Sequence, residues 1–97
     1  MARWKLRLTE RFSGKTRTVK VTAATRAEAW AAYGANWSRF NDLNGVEMEA
    51  TRAEIIEAIL ADMARYRPRA DAEKEYGGFL RGLRKNELED ILVARLS

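Results

Sequence analysis

Residues 4–22 read WKLRLTERFSGKTRTVKVT, and the period of this stretch decides the fold. Trp4, Leu6 and Leu8 alternate with Arg3, Lys5, Arg7 and Thr9; beyond Ser13-Gly14, Val19 and Val21 alternate with Thr18, Lys20 and Thr22. Alternation of apolar and polar residues is the signature of a strand with one buried face. Residues 3–22 therefore predict an antiparallel hairpin. A two-residue Ser13-Gly14 loop, using the positive φ that glycine tolerates, pairs Leu8 with Val19, Leu6 with Val21 and Trp4 with Ala23. That register sets Glu10 against Arg17 and Arg7 against Lys20. The outer face then carries Arg3, Lys5, Arg7, Arg11 and Lys20, interleaved with threonines and free of carboxylates. These five cations are the candidate site for nucleic acid or another anion. A solvated face whose charges discourage edge-to-edge pairing is the plainer alternative.

Charge along the chain sharpens this candidate. The 97 residues sum to +4. Residues 1–26 hold eight cations and one carboxylate, whereas residues 27–64 hold two cations and seven carboxylates. Such an asymmetry predicts surfaces of opposite sign, which steer partners without fixing the fold. Two basic clusters follow, at Arg65, Arg67 and Arg69 and at Arg81, Arg84 and Lys85. Cations near helix C-termini are favourable in any case.

Outward from the hairpin, Thr25 and Glu28 have capping-box spacing and predict a helix over about 26–40. Trp30, Tyr33, Trp37 and Phe40 form its seam, expected to pack on the sheet, with Gly34 beside them to allow close approach. NDLNG, residues 41–45, reads as a turn. Residues 46–50 alternate again as a short third strand, with Val46 and Met48 inward and Glu47 and Glu49 outward. ATRAE at residues 50–54 repeats residues 24–28 and predicts a second capped helix over about 52–66. Ile55, Ile56, Ile59, Leu60 and Met63 form its buried face. Two further helices are expected over about 71–84, with Gly77-Gly78 as a kink or break, and 86–96, with Leu88, Ile91, Leu92 and Leu96 on one face. The expectation is one α+β domain over residues 1–97: a hairpin packed on a helix, followed by a helical C-terminal half that completes the core.

The chemistry is as informative for what it lacks. The chain has no histidine and no cysteine, which removes the commonest general base, thiolate metal sites, disulfides and a cysteine nucleophile. GGFLRG at residues 77–82 lacks the spacing of a phosphate-binding loop. Asp42, Glu47 and Glu49 offer a conceivable all-carboxylate Mg²⁺ set, with no motif behind it. We expect no enzyme, cofactor, metal or small-molecule substrate. No apolar run is long enough to cross a bilayer and no apolar signal core opens the chain, so no membrane partner and a cytoplasmic location are expected.

Two binding roles remain. In the first, the cationic hairpin face engages nucleic acid or a ribonucleoprotein complex. In the second, Asp42, Glu47, Glu49, Glu54, Glu57 and Asp62 form an acidic patch that occupies the cationic channel of a nucleic-acid-handling complex. Small size and a two-signed surface suit a phage or mobile-element accessory protein, and small inhibitors of CRISPR effector complexes share this general physique. That is an analogy of class and carries no motif.

Overall fold

The computed structural model describes residues 1–97. The fold is α+β, and it divides into two compact units, Met1–Glu49 and Ala50–Ser97. The first contains β1 (Ala2–Glu10), β2 (Thr16–Ala23), α1 (Arg26–Asn36) and β3 (Asn41–Met48). The strands form one antiparallel sheet in the order β2-β1-β3, so β1 is central.

The hairpin forms where alternation places it, with a register two residues away from the expected one. Trp4 pairs with Val21, Leu6 with Val19 and Leu8 with Arg17. Lys5, and not Arg7, faces Lys20. The reason lies in the turn. Glu10 and Lys15 close a loop over Arg11, Phe12, Ser13 and Gly14, through Glu10 N donating to Lys15 O at 2.8 Å. Gly14, at φ +71°, is the last loop residue. The turn centre thus lies one residue earlier, and the pairing moves by two. A slip of two preserves the faces, because side chains alternate with period two. Trp4, Leu6 and Leu8 are fully buried, and the Trp4 indole Nε1 donates to Ala23 O at 3.0 Å.

β3 is longer than expected and begins inside the NDLNG stretch. It runs along the free edge of β1, pairing Trp4 with Met48, Leu6 with Val46 and Leu8 with Leu43. The register breaks between Arg7 and Leu8. Without that bulge Asn44 would stand opposite Leu8. The extra residue brings half-buried Leu43 inward and leaves Asn44 exposed, which is how a bulge re-aims a side chain. Turn-forming composition therefore marks a bulged strand here, because β1 offers a partner edge along that length.

α1 lies against all three strands. Thr25 Oγ1 accepts from Glu28 N at 3.2 Å, and the Glu28 carboxylate accepts from Ala24 N at 3.0 Å. The helix stops at Asn36, four residues short of the expected end. Its buried residue is Ala29, whose small side chain lets the helix sit close to the sheet. The aromatic seam is not core. Trp30 and Phe40 are each 55% exposed, and Tyr33 and Trp37 are half-buried. Centring the helix on Ala29 rotates Trp30 outward, and Phe40 falls in the turn beyond the helix. Gly34 is exposed, and a Cβ there meets nothing within 4 Å, so close approach does not require glycine. Gly34→Ala should stabilise the N-terminal unit by about 0.5–1 kcal/mol through helix propensity alone, read by urea denaturation. A loss of stability would mean that the helix packs differently from this.

The second unit contains α2 (Arg52–Met63), α3 (Arg69–Ala72), a π-helical turn (Glu73–Gly77), α4 (Gly78–Arg81) and α5 (Lys85–Leu96). Its core holds Ile55, Ile56, Ile59, Leu60, Leu80 and Leu88. The second ATRAE copy makes a complete capping box: Glu54 N donates to Thr51 Oγ1 at 3.2 Å, and Thr51 N to the Glu54 carboxylate at 3.0 Å. Gly77-Gly78 does not break the helical path. Both glycines have right-handed helical dihedrals, and the π turn carries α3 into α4. The wider turn advances the inward face from Ala72 to Gly77 and then Leu80, leaving Phe79 exposed. A Cβ at Gly77 would lie 2.6 Å from Glu73 Oε1 and 2.9 Å from Arg81 Nη1, so the glycine makes room for that ion pair to cross the turn. In α5, Glu89 is buried and Leu96 exposed, so the inward face is narrower than the leucine pattern implies. No helix is long and apolar enough to cross a membrane.

Candidate functional site

The outer face of the sheet is where the sequence placed five cations and no carboxylate. Four of them, Arg3, Lys5, Arg7 and Lys20, stand on the strands, Arg11 lies in the loop beyond β1, and the absence of carboxylates is corrected by β3. Because Val46 and Met48 point inward in the same sheet, Glu47 and Glu49 must point outward beside Lys5 and Arg3. Glu47 stands opposite Lys5 and takes two cations, Lys5 Nζ at 3.6 Å and Arg7 Nη2 at 2.8 Å from Oε1. Glu49 likewise takes Arg3 Nε at 3.4 Å and Lys20 Nζ at 2.6 Å. The Glu49 carboxyl is held below its ordinary range, first by the Lys20 hydrogen bond and then by the charges of Lys20, Arg3 and Lys5. Two carboxylates shared among four cations leave the face net positive. They also ease the repulsion between Lys5 and Lys20, which sit directly opposite each other.

Arg11 has a different position from the other four. It stands in the hairpin loop and holds that loop to the turn between α1 and β3. Its Nε donates to Asp42 Oδ1 at 2.9 Å, its Nη1 to Arg39 O at 3.3 Å and its backbone N to Phe40 O at 3.0 Å. The Asp42 hydrogen bond raises the guanidinium pKa above its ordinary value.

At this loop end lies a feature that sequence reasoning missed. Phe12, Phe40 and Trp37 line an open depression with Arg17, Asn36 and Asn41. Phe12 is 91% exposed. The Arg39 guanidinium lies 5.2 Å from the centroid of the Phe40 ring, in cation–π geometry. Tyr33 OH donates to Asn41 O at 2.6 Å and Asn41 Nδ2 to Trp37 O at 3.2 Å, which fixes the floor; the buried Asn41 Oδ1 has no hydrogen-bond partner. Arg17 also borders a second depression on the strands, with Arg7, Thr16, Thr18 and Asn44. The available signal was a phenylalanine inside a polar turn, Arg11-Phe12-Ser13-Gly14, where burial is not expected.

The remaining candidates sit in the second unit, mostly in ion pairs. Arg69 Nη2 reaches both carboxylate oxygens of Glu57 at 2.9 Å. Asp62 takes Arg95 at 2.7 Å and Arg65 at 3.6 Å. Arg67 pairs with Glu75, which lowers the glutamate's pKa and raises the arginine's. Arg81 pairs with Glu73, and Arg84 N donates to the Glu87 carboxylate at 3.0 Å at the start of α5, beside Lys85. Each of the six proposed acidic residues has a partner within its own unit. Asp42, Glu47 and Glu49 answer the hairpin cations, Glu57 and Asp62 answer arginines, and Glu54 caps α2. No three carboxylates converge to hold a metal ion. Compared with known proteins, the chain matches no family model, no curated protein and no solved structure.

Proposed function

We propose that this chain is a non-enzymatic binding module whose N-terminal unit engages nucleic acid, alone or within a ribonucleoprotein complex. The observation that carries the reading is the division of charge. Met1–Glu49 holds nine cations and five carboxylates, whereas Ala50–Ser97 holds nine of each, so the whole net charge of +4 lies in the sheet unit. On the outer face each glutamate serves two cations, which leaves cationic groups to meet phosphates while threonine hydroxyls supply hydrogen bonds. A ribbon of this kind can lie along a phosphate backbone. No matching concentration of negative charge favours the acidic-patch reading.

The test is binding to random single- and double-stranded DNA and RNA across a salt series. The wild type should bind at low salt and weaken steeply as salt rises. Charge reversal at Lys5, Arg7 and Lys20 together should lower the slope of log affinity against log salt by about 2–3, the loss expected for three phosphate contacts. Binding with an intact slope would place the contact on another surface. No binding to any nucleic acid at low salt, with retention of a nucleic-acid-handling complex in a pull-down, would assign the module to a protein partner.

A further inference from the structure

We infer that the depression at the hairpin's loop end is a stacking site for unpaired bases, which makes single-stranded nucleic acid the preferred ligand. The inference rests on the nucleic-acid reading above and adds to it the strandedness and the site. Its first ground is the aromatic set. Phe12 and Phe40 are large apolar rings left open to solvent, and Trp37 lies between the helix end and β3 in the same depression. Solvent-exposed rings gathered in one depression form a surface that exposure penalises unless something covers it. Every base offers a π-face, so such rings accept bases without regard to sequence.

The second ground is charge. Lys15 closes the loop, Arg17 follows it on β2, and Arg39 stacks on Phe40. The only carboxylate lining the depression, that of Glu10, accepts a hydrogen bond from Ser13 Oγ at 2.6 Å. Aromatic rings interleaved with cations match a ligand that alternates bases and phosphates, and they match an acidic or neutral protein surface less completely. The third ground is continuity. Arg17 borders both this depression and the one formed with Arg7, Thr16 and Thr18. Arg17 pairs with inward-facing Leu8, whereas Arg7 pairs with Thr18 on the outer face. The two depressions therefore lie on opposite faces of the sheet and meet only at the edge strand β2, around which a flexible single strand must pass to bring its backbone to Arg7 and the threonines. A duplex cannot use this site without unstacking, because its base faces are covered.

Fluorescence anisotropy with a labelled oligothymidylate, an oligouridylate and a duplex of equal length tests the inference. Variants are Phe12→Ala, Phe40→Ala and Arg17→Gln, with Phe79→Ala in the second unit as control and circular dichroism to verify folding. The wild type should bind the single strands more tightly than the duplex. Phe12→Ala should weaken single-strand binding by about tenfold with an unchanged salt slope, since it removes stacking and no charge. Arg17→Gln should lower the slope by about 0.7, the loss of one phosphate contact to a single strand. Phe79→Ala should change neither. Equal affinity for duplex and single strand, or wild-type affinity in the Phe12→Ala and Phe40→Ala variants, overturns the stacking site and leaves the nucleic-acid reading standing. No binding of any of the three probes at low salt overturns both.

Discussion

Replacing Trp4 with alanine should cost the N-terminal unit about 3–5 kcal/mol, the range for truncating a fully buried large aromatic side chain. Trp4 is 0% exposed at the centre of β1, between Val21 on one side and Met48 on the other. Its loss removes apolar packing in the middle of the sheet and strands the Ala23 carbonyl, which accepts from the indole at 3.0 Å. It also removes the ring over which the Arg26 guanidinium lies at 5.8 Å. Against a typical total stability of about 5–15 kcal/mol, such a loss leaves the sheet marginal or unfolded. Amide hydrogen exchange in β1 and β3 is the direct measurement. Trp4→Phe, which keeps most of the volume and loses the indole donor, should fall between the two. A cost under about 1 kcal/mol for Trp4→Ala would mean that Trp4 is not a core residue.

What was legible in the sequence is what period and capping dictate. Alternation placed β1 and β2 and put Trp4, Leu6 and Leu8 inward, and a register error of two could not disturb that, since it preserves faces. The two ATRAE copies fixed the starts of α1 and α2, because side-chain oxygens three residues from a polar partner have local work at a helix N-terminus. What failed was decided by tertiary contact. Asn41-Asp42-Leu43-Asn44-Gly45 has turn composition, yet a free edge of β1 and one bulge make it strand. The aromatic seam of α1 has helical spacing, yet the helix presents Ala29 to the sheet and leaves Trp30 and Phe40 open.

The site shows the same division. Residue by residue, the five hairpin cations and the outward direction of Glu47 and Glu49 were readable. The strand order that sets them on one face was not readable, because it is decided by tertiary pairing. Once β3 joins β1 with Val46 and Met48 inward, its glutamates share a face with Arg3, Lys5, Arg7 and Lys20. The loop-end depression was unreadable for another reason. It unites Phe12 from the hairpin turn with Trp37 and Phe40 from the far end of α1, and that meeting depends on Arg11 holding the two turns together.

This shared face makes the account's central claim unusually easy to test, because the carboxylates that temper it belong to one residue of β3 and the residue just beyond its end. Neutralising Glu47 and Glu49 together, as Glu47→Gln and Glu49→Gln, releases four cations from internal pairing and removes two negative charges from a surface proposed to meet phosphates. Glutamine keeps the shape and can still accept hydrogen bonds from the neighbouring lysines and arginines, so β3 should remain paired with β1. Exposed ion pairs contribute little to stability, and the fold should survive the change. Repulsion of a phosphate by an adjacent carboxylate, even in water, is large enough that removing both should tighten binding on the order of tenfold at low salt. The gain should shrink as salt rises and screening takes over. The decisive measurement is the low-salt affinity of the Glu47→Gln/Glu49→Gln protein for single-stranded DNA or RNA beside that of the wild type. Binding tightened by about tenfold is the result this account predicts. Unchanged or weakened binding by a protein whose sheet is intact would contradict it.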